Sequence, residues 1–326
     1  MRNTFLALIL TLFCGLFSAQ ALYGREVVDM SGRKVQVPDT IRRIFTPYRV
    51  ATGLLLILGE EEKLVGMSTR PSPMALRIFP RLGSVGIANR HSSIEEILKM
   101  RPDLVITSAG PQVKDLEYAG IPVFCISAED PDSLINGLAA MGDLLGKQKR
   151  AQKIGSYYRS RIDYITRQTS RVHQKKKVYL AGARLLSAVG GDFYQDRIIH
   201  LAGGINVSRQ GRGGWVSVSR EHLLSWNPDV ILTLSYYGKT LPADILKDKG
   251  LRTLNAVSEK QVHTFPSYID SWDLPSPESI LGIMWLAGVL YPEEIGFDME
   301  KEASEFYTRF YGSYPQPVSA VKRNAR

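Results

Sequence analysis

Cysteine is almost missing from this chain of 326 residues: only Cys14 and Cys125 occur. Cys14 lies in a segment expected to be removed, so no intramolecular disulfide is available. The core must therefore rest on apolar packing, which a chain of this length can supply. Cys125, in Val-Phe-Cys-Ile-Ser, reads as a buried strand thiol. Histidine is scarce as well. The five are His91, His173, His200, His222 and His263, without HxH or HExxH spacing and without Cys partners. That argues against a His-rich zinc or manganese site. GxSxG, P-loop and strand-following GxGxxG motifs are also lacking, which removes the signatures of hydrolase elbows and nucleotide phosphate cradles. Gly211-Arg-Gly-Gly214 follows a polar loop and reads as flexible lining. Asp270 and Asp273 are close in sequence, but Asp273 is expected to cap the helical region at 275–287 rather than form a catalytic pair. No run of membrane-spanning length follows the first 21 residues.

An export signal is present. Arg2 supplies a positive start, residues 5–17 are apolar and uncharged, and Ala19-Gln20-Ala21 fits small-x-small cleavage. The mature chain is expected to begin at Leu22, in the periplasm and peripheral to the inner membrane. Cys14 follows Phe13, where lipid attachment wants a small residue, so lipidation is not expected. Forty-one Lys and Arg against 32 Asp and Glu give +9, or +8 once Arg2 is lost. With no nucleic-acid motif in an exported chain, no nucleic-acid partner is expected. Most of the basic residues read as solvated helix faces and tail, and a monomer is expected.

An internal echo organises the chain. Residues 93–107 read SIEEILKMRPDLVIT and residues 219–233 read SREHLLSWNPDVILT, matching without a gap. Ser93 and Ser219 are helix N-caps, and Glu96 completes a capping box. Leu98 and Leu224 are expected on apolar helix faces. Pro-Asp ends each helix, and a short β-branched strand follows. The repetition predicts two similar lobes.

Strands are predicted over 41–46, 63–68, 121–127, 177–181 and 230–234, with helices over 51–58, 132–145 and 196–202. This alternation predicts an α/β fold of two Rossmann-like lobes with mostly parallel sheets. Residues 147–174 hold no proline and one glycine, with Ile154, Tyr157, Tyr158, Arg161, Ile162 and Ile165 at near-helical spacing. A helix of that length exceeds roughly 35 Å. The expected organisation is a signal at 1–21, an N-terminal lobe at 22–146, a linking backbone helix at 147–174 and a C-terminal lobe at 175–326, with limited hinge motion.

The order of several segments is similar to one family. Residues 28–38, VDMSGRKVQVP, resemble its opening hairpin. Leu58-Gly59 through Lys63-Leu-Val-Gly66 resembles its first helix-strand passage, and Ala202-Gly-Gly-Ile-Asn-Val207 a helix end of its C-lobe. Residues 275–287, then Tyr291-Pro292 and residues 306–312, resemble its closing segments. From about residue 28 to 312 the chain resembles the helical-backbone, or class III, periplasmic substrate-binding proteins. These serve iron-siderophore, haem and cobalamin ABC importers. The resemblance implies a binding protein rather than an enzyme, and a permease dimer as partner. It places Glu95 and Glu221 as the two carboxylates that dock on permease arginines. Each can equally complement its own helix dipole.

A ligand between lobes of this type sits beyond the carboxyl ends of the parallel strands. That points to Tyr48 and Arg49, Arg70, Asn89 and Arg90, Arg184, Arg212 and Trp215, Tyr236 and Tyr237, and Tyr268 with Trp272. Arginine forks suit carboxylates and oxyanions, and aromatic rings suit organic faces. Direct metal-ligand candidates are Tyr48, His91, Tyr236, Tyr237 and Tyr268. No intrinsic cofactor is expected, and the bound molecule is expected to be a metal chelate: ferric siderophore, haem or corrinoid. A molybdate- or tungstate-like oxyanion is the alternative. An exported two-domain enzyme such as a chelatase, and a receptor-like interaction domain, are further readings.

Overall fold

The computed structural model describes residues 24–89, 91–236 and 240–314. The expected export segment, Arg90 and Tyr237 lie outside them. A hairpin of β1 (Gly24–Val28) and β2 (Lys34–Pro38) opens the described chain. Asp29 in its turn accepts the Cys125 amide and so pins the hairpin to the neighbouring sheet. The N-terminal lobe continues with β3 (Ile44–Thr46), α1 (Arg49–Ile57), β4 (Leu64–Met67), α2 (Pro73–Ile78) and β5 (Gly86–Ile87). Then come α3 (Ile94–Lys99), β6 (Leu104–Thr107), α4 (Gln112–Tyr118), β7 (Val123–Cys125) and α5 (Pro131–Leu145). Its sheet is parallel in the order β5-β4-β3-β6-β7.

Helix α6 (Gln148–Thr169) leads to the second lobe. It stops short of residue 174, and its 22 residues span about 33 Å. The C-terminal lobe holds β8 (Lys177–Leu180), β9 (Ser187–Val189), α7 (Tyr194–Leu201), β10 (Ile205–Asn206) and β11 (Trp215–Ser217). It continues with α8 (Arg220–Trp226), β12 (Val230–Thr233), α9 (Pro242–Lys247), α10 (Asn255–Ser258), β13 (Val262–Thr264), α11 (Ser279–Leu290) and α12 (Met299–Tyr311). Its main sheet is parallel in the order β10-β8-β12-β13, while β9 and β11 pair antiparallel beside it.

Strand alternation sorts the core into three parts. Ile44, Leu104, Ile106, Val178, Leu180, Val230 and Leu232 face one buried cluster that also takes in Ile154, Tyr158 and Ile165 of α6. Phe45 and Val105 face a separate outer cluster of the N-lobe. Tyr179 and Ile231 do the same in the C-lobe. The inner cluster is therefore continuous through both lobes. The Tyr158 hydroxyl donates to the Pro277 carbonyl at 2.7 Å and ties α6 to the approach to α11.

The echo is a structural repeat. Ser93 Oγ accepts the Glu96 amide, and the Glu96 carboxylate accepts the Ser93 amide, both at 3.2 Å. Ser219 Oγ accepts the His222 amide at 3.2 Å. Each helix ends on a left-handed residue just before the proline, Arg101 at φ 47° and Asn227 at φ 41°. A following proline disfavours αR there. Each aspartate then clips its strand to the neighbouring strand of the sheet. Asp103 accepts the Arg42 and Arg43 amides at 2.8 and 2.9 Å, and Asp229 accepts the Lys177 amide at 2.7 Å. One expectation is corrected. Leu98 and Leu224 do not face the core; they are 43% and 36% exposed, and Ile97 and Leu223 are the buried residues. Two turns of helix present a narrow inward stripe, and the next residue lies about 100° further round.

Candidate functional site

Both sheets point their carboxyl ends at one cleft of about 630 Å³. The N-lobe brings Tyr48 and Arg49, at the β3–α1 junction, and Ala128 and Glu129, between β7 and α5. The C-lobe brings Asp192 to Gln195 at the start of α7, Gly213 to Trp215, Tyr236, Leu274 and Pro275. Glycine builds this second wall. The Gly190 amide donates to the Gly214 carbonyl and the Gly191 amide to the Gly211 carbonyl, each at 3.0 Å. A Cβ at Gly190 would lie within 2.6 Å of the Gly211 carbonyl oxygen, and one at Gly191 still closer to that of Arg209. The 211–214 loop is thus tied down. Gly213 and Gly214 take φ of 80° and 97°, which suits glycine.

Aromatic rings recur on both walls of the lining. Trp215 and Phe193 pack together with centroids 5.1 Å apart. Burial, with the Glu129 charge adding, pushes the Tyr48 phenol up to about 12. It is therefore a neutral donor, and burial opposes its use as a phenolate metal ligand. The first turn of α7 borders the cleft without a side-chain cap at Phe193, but Asp196 already places a buried carboxylate in that turn. Arg49 crosses the cleft to Asp270, with Nε donating to Oδ2 at 2.8 Å, so its charge is already matched. A second tie between the lobes is Ser72 Oγ donating to the Ile269 carbonyl at 2.9 Å.

Beneath the cleft lies a buried carboxylate. Asp273 accepts from Ser271 Oγ, Gln195 Nε2 and the Tyr236 hydroxyl at 2.5, 3.2 and 3.3 Å. Burial nevertheless pushes its carboxyl up, against those donors. This corrects the capping role expected for Asp273: α11 starts at Ser279, and its N-cap is Glu278. Gln195 Oε1 is buried without a partner, an acceptor held in reserve beside the cleft.

Of the residues expected from sequence, the fold brings Tyr48, Arg49, Trp215 and Tyr236 together. Arg70 and Arg212 are exposed and outside the lining. Arg184 lines a separate hollow of about 340 Å³ with Asp244 and Asp248. Asn89 turns the chain into α3: its Oδ1 accepts the amide of exposed His91 at 2.8 Å. Tyr268 and Trp272 belong to an aromatic cluster under the loop. Tyr268 lies 4.4 Å from the Tyr307 ring, and Trp272 Nε1 donates to the Tyr307 hydroxyl at 3.0 Å. Glu129, Asp192, Phe193, Tyr194 and Gln195 were not expected. The Gly190-Gly191 turn before an aromatic pair was their one signal. Among the described residues, no three His, Cys, Asp or Glu side chains are grouped to hold a bare metal ion.

The family model for the periplasmic binding proteins matches residues 48–269. The chain belongs to the periplasmic binding proteins. Its relatives in this family include the molybdate-binding protein MolA of Haemophilus influenzae, 27% identical over 97% of this chain and 99% of MolA. The MolA structure with molybdate bound superposes with a TM-score of 0.78 at 25% identity, covering 90% of this chain and 99% of that one. A periplasmic solute binding protein of Veillonella parvula gives a TM-score of 0.79 at 26% identity, over 91% and 95% of the two chains. A vitamin B12-binding protein of Yersinia pestis is 26% identical over 43% of this chain and 51% of its own length. No helix among the described residues is long and apolar enough to cross a membrane.

Proposed function

We propose that this periplasmic binding protein is the substrate-binding component of an ABC importer, exported through its N-terminal signal. We propose further that its cleft captures an organic metal chelate: ferric siderophore, haem or corrinoid. The observation that carries this reading is the aromatic cleft itself. Its volume, about 630 Å³, lies within the roughly 300–1,000 Å³ of sites that enclose drug-sized ligands. Tyr48, Phe193, Trp215 and Tyr236 offer ring surface for an organic shell. Arg49 is matched by Asp270, and Glu129 adds a carboxylate, which does not favour a bare anion. The protein acts by binding, without catalysis, and the loaded monomer docks through Glu95 and Glu221.

A second reading, a molybdate-like oxyanion, draws on the uncapped first turn of α7 and on the likeness to MolA. Purification of the mature protein from its native host, with native mass spectrometry and absorbance of the co-purified molecule, separates the two. Calorimetry with haem, cobalamin, ferric siderophores, molybdate and tungstate follows. Chelate binding is expected, weakened about tenfold or more by Trp215→Ala, equivalent to at least ~1.4 kcal/mol. Binding of molybdate alone selects the second reading. Silence across the panel at micromolar concentration ends both.

A further inference from the structure

One side chain of the cleft floor holds a polar atom that nothing in the fold meets. Gln195, in the first turn of α7, is 3% exposed and belongs to the cleft lining. Its Nε2 donates to Asp273 Oδ2 at 3.2 Å, while its Oε1 is buried without a partner. Asp273 decides which end of the amide is left over. It is fully buried and also accepts Ser271 Oγ on Oδ1 and the Tyr236 hydroxyl on Oδ2. Ser271 Oγ is joined in turn to Ser235 Oγ at 3.1 Å. A carboxylate on which three donors converge offers them only acceptors. The amide must give it the N–H end and turn the carbonyl end away. A glutamine beside a donor would be free to present its N–H groups instead.

The charged groups around this amide lean the same way. Glu129 from the N-lobe and Asp192 from the C-lobe are exposed carboxylates on the two walls. Among the described residues of the lining, Arg49 is the only basic side chain, and Asp270 holds its guanidinium. The cleft therefore offers acceptors and ring faces, with its positive charge already matched.

We infer that Gln195, oriented by Asp273, is the specificity-determining contact of the cleft floor, and that it selects a chelate whose shell carries N–H or O–H donors and no net negative charge. The inference rests on the chelate reading and narrows it. A shell of amides or hydroxyls brings a donor to Oε1 and suits the carboxylates on both walls. A rim of carboxylates, as in haem, or a bare oxyanion brings only acceptors. Ring contact alone accepts either kind, whereas a buried polar group left unpaired opposes the wrong one. Tyr236, which shares Asp273 Oδ2 with Gln195 and is 40% exposed, is the side chain that turns aside as the donor enters. Asp273 acts through Gln195 and is a positioning residue.

The test is calorimetry on the mature protein with four probes: aquocobalamin, a ferric trihydroxamate with amide N–H groups, haem and molybdate. At least one of the first two is expected to bind about tenfold tighter than either of the last two. Gln195→Leu is expected to weaken the donor-bearing probe about tenfold and to leave haem and molybdate unchanged. Asp273→Asn keeps the shape but supplies an N–H for the Gln195 carbonyl, so the amide turns over. Binding is then expected to persist with a smaller preference, a change that a merely structural residue would not produce. If Gln195→Leu lowers the melting temperature too far to be measured, Asp273→Asn decides. The same preference in wild type and variants overturns the inference and leaves the chelate reading standing. Haem bound tightest by wild type has the same consequence. Molybdate bound tightest overturns the inference together with the chelate reading, and silence with all four probes ends both.

Discussion

In the N-lobe, β6 lies between β3 and β7, preceded by a Ser-capped helix and a Pro-Asp clip; in the C-lobe, β12 lies between β8 and β13 with the same cap and clip. At the cleft the likeness stops. The N-lobe brings four lining residues from two strand-helix junctions, while the C-lobe adds the β9–β11 pair, the glycine-tight 211–214 loop and the start of α7. The duplicated parts are scaffold and rim. The parts without a counterpart face the ligand. Repetition builds the scaffold, and divergence shapes the cleft.

The largest expected effect tests whether the lobes are one body. Ile154 is 1% exposed, inside the cluster that runs through both lobes. Ile154→Ala is expected to cost about 2–5 kcal/mol. Amide exchange in β6 and β12 should accelerate together, and unfolding should remain one transition. Faster exchange in only one lobe would show that the cores are separable.

Next comes a pH effect at the seam. Glu278 stands at the N-cap position of α11, is 2% exposed and accepts the Tyr311 hydroxyl at 2.8 Å. Burial, with the Asp270 charge adding, raises its carboxyl from 4.5 to about 7. The folded chain therefore holds a proton there that the unfolded chain releases above 4.5. Its contribution to stability is intact below pH 4.5 and is lost as pH rises to about 7, a swing on the order of 3 kcal/mol. In denaturant titrations from pH 4.5 to 7.5, Glu278→Gln should remove that fall relative to wild type. Parallel curves for the two proteins would place the proton elsewhere.

What the sequence disclosed follows physical range. Caps, Pro-Asp turns and strand alternation act within a few residues, so the repeat and the central strands were legible, and with them the chain segments that carry Tyr48, Arg49 and Trp215. Which of two adjacent apolar residues faces inward on a two-turn helix was not, and Leu98 and Leu224 were misplaced for that reason. Tyr268 and Trp272 sit on a loop between a strand and a helix, yet they point into Tyr307, which is far away in sequence. Asp192 to Gln195 enter the cleft because the 190–191 turn packs against 209–214, a contact between segments that no periodicity encodes.

The smallest expected effect compares the two clips directly. Asp103 accepts two backbone amides, and Asp229 accepts one with a longer contact to Asn255 Nδ2 at 3.4 Å. Each alanine variant strands backbone donors at the start of a central parallel strand. A hydrogen bond to a charged group contributes about 1.5–3 kcal/mol, less where water can take its place. Asp103→Ala is therefore expected to lower the urea midpoint more than Asp229→Ala, both by about 1–3 kcal/mol. The reverse order would mean that the Asn227–Asn255 pairing beside Asp229, not the clip itself, holds the second copy together.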